Sequence, residues 1–265
     1  MKLIEIVDKE YEDVSEAVVD KLVSPKKDAK LEYELMPNAE TYAEGLHALR
    51  DSYVGKEAEV PSQLLYETDG QKIIRPLTFR ENLLMRVEDF ETLKDKEGRK
   101  RTIEDRLRLF DDFLDSCTAV AYSSKNVDDF MIIPMCKELI TIPKDFQDDY
   151  VKIDYVSLHG RGIALKRSQA KYGELLAESE VHSHPAWIVS VEGDITLLCT
   201  YTSIVFKHIL HREGKVMGFH LRNQIEKDQL RSLFVGNSYD YSNANGYGDL
   251  NDYGGAFLRA TSPSS

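Results

Sequence analysis

The chain has 265 residues, 42% apolar and 30% charged, which is the balance of an ordinary globular protein with enough material for a sizeable core. Its 34 basic against 46 acidic side chains leave a net charge of −12, which repels phosphate backbones and anionic membranes and argues against nucleic-acid or membrane binding. Cys117, Cys136 and Cys199 are widely spaced with no C-x-x-C pair, which suggests buried free thiols in a cytoplasmic protein rather than a disulfide framework.

The N-terminal stretch carries Glu5, Asp8, Glu10 and Glu12 where a secretory signal needs an unbroken apolar segment. "DVSEAVVDKLVSP" predicts a helix with Ser15 as N-cap and Pro25 just past its end. "AKLEYELM" alternates as a half-buried strand does, and Asn38 is expected to cap a helix over "AETYAEGLHALRDSY", where Tyr42, Leu46, Leu49 and Tyr53 share one face. In "LLYETDGQKIIRP", Asp69-Gly70 supplies the positive φ angles of a tight hairpin turn.

Two helices with matching start signals follow: Thr78 with Glu81 at N3, and Thr102 with Asp105. Their apolar stripes are Phe79, Leu83, Val87, Phe90 and Ile103, Leu107, Phe110, Leu114, Cys117, and the short "KDKEGRKR" connection favours an antiparallel pair. Lys94, Lys96, Arg99, Lys100 and Arg101 in that connection lack interleaved aromatics and read as a solvated basic loop.

Pro134 splits "FMIIPMCKELITIP" into two β-rich runs, which predicts an edge or bulged strand. "HGRG", with Gly160 and Gly162 around Arg161, reads as a loop because the G-x-G-x-x-G spacing is absent. "KVMGFHL", "QLRSLFVG" and "GAFLRAT" predict three further strands, with a long polar loop from Asn237 to Gly255 between the last two. The expected architecture is a single α+β domain over residues 1–265. Its antiparallel sheet is built from the hairpin and the C-terminal strands, covered by the central helical pair and a later helix-turn-helix.

Two stretches bear on function. In "EVHSHPAWIVSVEGD", His182-Ser183-His184-Pro185 followed by Ser190 and Asp194 resembles, over about a dozen residues, the H-x-H-P and S-x-x-D signature of the JAMM metalloproteases. That resemblance implies a zinc ion on His182, His184 and Asp194, activating water for hydrolysis. The chain departs from the pattern: Ser190 and Asp194 are separated by three residues instead of two, and "GELLAESEV" replaces the apolar strand that would deliver the ligands. The same residues read as a helix-turn-helix, with Ser183 at its start, Pro185 in the first turn, Trp187 and Val191 on one buried face, Gly193 as terminator and Asp194 capping "ITLLCTYTSIVFKHILH". His208 and His211 fall near the end of that second helix, where its dipole favours them without any metal.

The second stretch is the Asn237–Gly255 segment, which holds Tyr239, Tyr241, Tyr247 and Tyr253 among asparagines, serines, aspartates and glycines. That mixture offers amphipathic ring area and adaptable hydrogen bonds. Tyr239, Tyr241, Tyr247, Asp249 and Tyr253 are therefore the expected binding residues, for a protein partner or a second copy of the chain. Asp249, Asn251 and Asp252 supply oxygen atoms, but Tyr253 stands where a calcium loop needs another donor, so no cofactor is expected there. A non-enzymatic binding or assembly module is the leading expectation, and a zinc hydrolase the alternative.

Overall fold

The computed structural model describes residues 32–37, 39–95, 97–209, 214–237, 241–251 and 257–261. The helix expected near Ser15, and Asn38, Lys96, His211, Tyr239, Asp252 and Tyr253, lie outside the described residues. The fold is α+β.

Strand β1 (Glu32–Leu35) leads into helix α1 (Tyr42–Asp51). The N-cap of α1 is Thr41 and not Asn38: Thr41 is extended, and its hydroxyl accepts the Glu44 N–H at 3.2 Å. The stripe of Tyr42, Leu46, Leu49 and Tyr53 is buried as its spacing predicts. Strands β2 (Leu65–Thr68) and β3 (Gln71–Ile74) form the hairpin, with Asp69 at φ 52° and Gly70 at φ 75°. The hairpin pairs only with itself among the described strands and does not extend the C-terminal sheet.

Helix α2 (Phe79–Glu91) opens on the expected capping box, and Glu81 also takes Arg75 at 2.7 Å. Helix α3 (Ile103–Leu107) has the Thr102–Asp105 box but is far shorter than its stripe implies. The chain tightens into a 3₁₀ turn at Arg108–Phe110, and Leu114 then exchanges backbone hydrogen bonds with Val235 at 2.9 and 3.2 Å. Sheet pairing that buries Phe110 and Leu114 wins over continuation of the helix, and Ile103 stays 38% exposed. In the connection between these helices, Arg99 pairs with Asp95 and Glu97, and Arg101 with Asp89.

Strands β4 (Ala119–Tyr122), β5 (Asp129–Ile133), β6 (Val151–Lys152), β7 (Ile163–Lys166) and β10 (Gln229–Ser232) make an antiparallel sheet in the order β6-β10-β4-β5-β7. The proline thus does not mark an edge strand: β5 is interior, and Pro134 lies just beyond its end, accepting the Thr118 hydroxyl at 2.7 Å. The second apolar run folds as helix α4 (Lys137–Ile140) instead of a strand.

Strands β8 (Leu175–Leu176), β9 (Met217–His220), β11 (Phe234–Asn237) and β12 (Ser242–Asn245) form a second sheet in the order β11-β12-β9-β8, with β12 parallel to β9. The segment expected to be one long loop therefore contains a fully buried strand, because Ser242, Asn243 and Asn245 find ladder partners on both sides. β10 and β11 are consecutive, yet the chain changes sheets across Leu233 alone.

An unexpected short helix α5 (Glu178–Ser183) precedes helices α6 (Pro185–Ser190) and α7 (Ile195–Ile204), which follow the predicted helix-turn-helix, the latter running into a π turn at Val205–Ile209. The five-stranded sheet is buried on both faces. Ala119, Ala121, Met131, Ile133 and Leu230 face α1, while Val120, Tyr122, Phe130, Ile132 and Leu165 face the main core with α2, Trp187 and the inner face of the second sheet. Strand β13 (Leu258–Thr261) closes the described chain by pairing antiparallel with β1. No helix among the described residues is long and apolar enough to cross a membrane.

Candidate functional site

Alternation along the second sheet separates its two faces. Leu176, Met217, Phe219, Val235 and Ala244 point into the main core. Their neighbours Gly218, His220, Phe234, Gly236, Asn243 and Asn245 occupy the other face. The register sets Gly236, Asn243 and Gly218 side by side across three strands, and both glycines lie under rings. A Cβ on Gly236 would collide with Phe113, and one on Gly218 would sit 2.5 Å from His220 Nε2. Glycine is needed at these two positions so that the rings can lie against the backbone.

Phe113 meets Phe234 edge-on at 6.1 Å, Phe234 covers Gly248, and the Tyr247 ring stands edge-on to His220 at 6.3 Å. The His220 Nε2–H donates to Asn243 Oδ1 at 2.9 Å, which fixes the tautomer and leaves Nδ1 an acceptor. Burial lowers the imidazole's pKa despite the opposing pull of Asn243, so the ring is held neutral. Burial, reinforced by Tyr241, raises the Tyr247 phenol above its ordinary value, so it stays a protonated donor. Phe113 is 48% exposed, Tyr241 42% and Tyr247 41%. The outer face of the sheet thus offers ring surface, an imidazole acceptor and phenol hydroxyls over a rigid ladder.

The chain after β12 is stitched down. The Gly246 N–H donates to His220 O, Tyr122 Oη donates to Gly246 O, and the Leu250 N–H donates to Asp149 O. Arg231, 2% exposed by side chain, donates to Gly248 O at 2.9 Å and Asp249 Oδ1 at 2.5 Å from Nη1, and to Gln229 Oε1 at 2.7 Å from Nε, with Tyr150 against the guanidinium. Of the five binding residues expected from sequence, Tyr241 and Tyr247 are partly exposed at the surface. Asp249 is the counter-ion of Arg231 and Arg222, and Tyr239 and Tyr253 lie outside the described residues. Asn251, with its amide donating to Gln147 O at 3.2 Å, also serves the scaffold. Phe113, Phe234, His220 and Asn243 join this face without a sequence motif to announce them; the isolated glycines inside two strand patterns are the signal that points to them.

The residues of the H-x-H-P stretch go separate ways. The His182 Nε2–H donates to Thr202 Oγ1 at 2.6 Å, since that hydroxyl itself donates to Cys199 O. His184 is 4% exposed within the core, and burial pushes its pKa down to about 3. Asp194 accepts the Leu197 N–H as N-cap and pairs with Arg80 at 2.9 Å. Pro185 opens α6, and Trp187 and Val191 are buried, as the helix-turn-helix requires. Among the described residues no group of three or more His, Cys, Asp or Glu side chains is placed to hold a metal ion. Of the H-x-x-H pair, His208 packs its ring on Phe90 at 5.1 Å. Neither a family model, nor a curated protein, nor a solved structure matches this chain.

Proposed function

We propose that the chain is a non-enzymatic binding or assembly module that recognises a protein partner, or a second copy of itself, through the outer face of the four-stranded sheet. The observation that carries this reading is the exposure of Tyr241 and Tyr247, 42% and 41%, at either end of a strand whose own polar residues are buried. Rings half-exposed over a backbone that Arg231 and the β9–β12 ladder hold rigid present contact area at little entropic cost on binding. Phe113 and His220 extend that area, and the latter adds a hydrogen-bond acceptor.

The test compares the wild type with a Tyr241→Ser/Tyr247→Ser double variant by light scattering and by quantitative affinity capture. The reading expects self-association, or a stoichiometric partner, that the wild type retains and the variant loses at an unchanged thermal midpoint. Identical mass and identical captured proteins for the two would refute it.

A further inference from the structure

Helix α6 is a discrete unit. His184 (φ −75°, ψ 120°) is a single extended residue that both ends α5 and begins α6, and at the other end Glu192 (φ 54°) and Gly193 (φ 79°) turn the chain through the left-handed region. Every residue of α6 is buried, and Trp187 lies edge-on to Phe219 of β9 at 5.9 Å. The helix also packs on β5 and β7 of the five-stranded sheet, and Trp187 meets Phe79 of α2 at 5.8 Å, so α6 sits between the two sheets.

At the joint between α5 and α6 the His184 ring lies nearly parallel to Phe219 at 5.8 Å and edge-on to Tyr172 at 4.9 Å. Neither ring nitrogen has a side-chain partner, only the Lys171 backbone lies near enough to favour a charged ring, and His184 is the one fully buried histidine among the described residues. The charged groups on the neighbouring elements are turned to other partners. Glu180 serves the Ala177 N–H, Lys171 and Lys215, and His182 bonds Thr202, with Glu178 acting on His182. Asp194 pairs with Arg80, Asp129 of β5 with Lys166 of β7, and His220 faces the opposite side of β9. An imidazolium formed inside this box has no counter-ion, and the Lys171 backbone, which favours the charged ring, is outweighed by burial, so its least costly route to water is to leave the box.

We propose that α6 is an acid-released segment. Protonation of His184 unseats α6, and Trp187 with it, from its place between the two sheets, while the layer between α1 and the opposite face of the five-stranded sheet stays assembled. That second layer has its own apolar cluster, from Tyr42, Leu46 and Leu49 to Met131 and Leu230, with no buried histidine in it.

Trp187 is the chain's one tryptophan and reports on the step directly. Emission and far-UV circular dichroism are followed together from pH 7.5 to 4. The proposal expects a reversible red shift in emission below about pH 6, where an imidazole released to water takes up its proton, with most of the far-UV signal retained. In His184→Phe the red shift disappears or moves down by at least one pH unit. His184→Gln takes its place if the phenylalanine variant does not fold. In the wild type alone, amide protection corrected for intrinsic exchange is lost in α6 ahead of α1 as the pH falls. The proposal is overturned by constant emission down to pH 4, by an unchanged midpoint in the folded variant, by loss of the far-UV signal in step with emission, or by simultaneous loss of protection in α6 and α1.

Discussion

Replacing Arg231 with methionine tests how the candidate surface is held. The side chain is 2% exposed and joins β10 to the segment carrying Tyr247, through Gly248 O at 2.9 Å and Asp249 Oδ1 at 2.5 Å. Breaking a buried ion pair by removing one partner costs about 3 to 5 kcal/mol when the other charge is left stranded. Asp249 is 31% exposed, so its freed carboxylate reaches water and the carboxylate's share of that penalty shrinks. The Gly248 carbonyl still loses its guanidinium donor. The expected loss is therefore near the lower limit, about 3 kcal/mol, read by urea unfolding at pH 7.5 with an unchanged m-value. Asp249→Asn keeps an acceptor at the same place and is expected to cost about half as much. Arg231→Met unfolding within 1 kcal/mol of the wild type, a threshold of about one ordinary hydrogen bond, would falsify the claim that this cation anchors the surface.

Trp187→Ala empties a fully buried site and is expected to destabilise the fold by about 3 to 5 kcal/mol in the same assay; unchanged stability would remove Trp187 from the core. Thr78→Ala loses a capping-box hydroxyl and should cost on the order of 1 kcal/mol with the fold intact, whereas a neutral result would deny the cap its role. Ser242→Ala deletes a buried hydroxyl that bonds nothing, so stability should hold or rise, and a loss above about 1 kcal/mol would reveal a partner. His184 has a folded pKa of about 3, below its unfolded value, so its stabilising share is complete above pH 6.5 and is lost as the pH falls through that window. By pH 5 the wild type should have lost about 2 kcal/mol that His184→Phe retains, and parallel pH profiles for the two proteins would count against this.

Local chemistry made much of the scaffold legible. Thr78 with Glu81, Thr102 with Asp105, Asp69-Gly70 and the His-Pro start of α6 each act within a few residues, so their spacing alone carries the information. The misread places are those where distant partners decide. Ile103 to Cys117 has helical spacing, yet Leu114 pairs with Val235 and ends the helix early. "SNAN" has poor strand propensity and becomes the buried β12 because β9 and β11 flank it. Pro134 suggested an edge, but it begins after the last paired residue of β5. At the candidate site, Tyr241 and Tyr247 were visible as composition. The conversion of Asp249 into a counter-ion was not, because Arg231 reaches it from β10. A lone arginine inside the "QLRSLF" strand pattern was the available hint that a buried partner existed.

The pairing of β1 with β13 joins Glu32 to Thr261, two residues at opposite ends of the described chain. The entropic cost of closing so long a loop is shared with contacts of nearly the same reach, the Tyr42 N–H to Leu250 O, the Ala260 N–H to Tyr53 Oη and the Tyr42–Phe257 ring pair, and the ribbon itself is only two strands wide. Everything between, including both larger sheets, can assemble from contacts of shorter reach. The ribbon thus rests on those long-range contacts and on Leu258 and Ala260, which belong to the main core with Tyr33 and Leu35 packed against it. Arg259 of β13 is tied to Glu34 and Glu59 and lies against the Tyr53 ring. Peeling the ribbon apart therefore breaks ties to β1 and to the segment after α1 together, so the two ends of the described chain are held as part of the core.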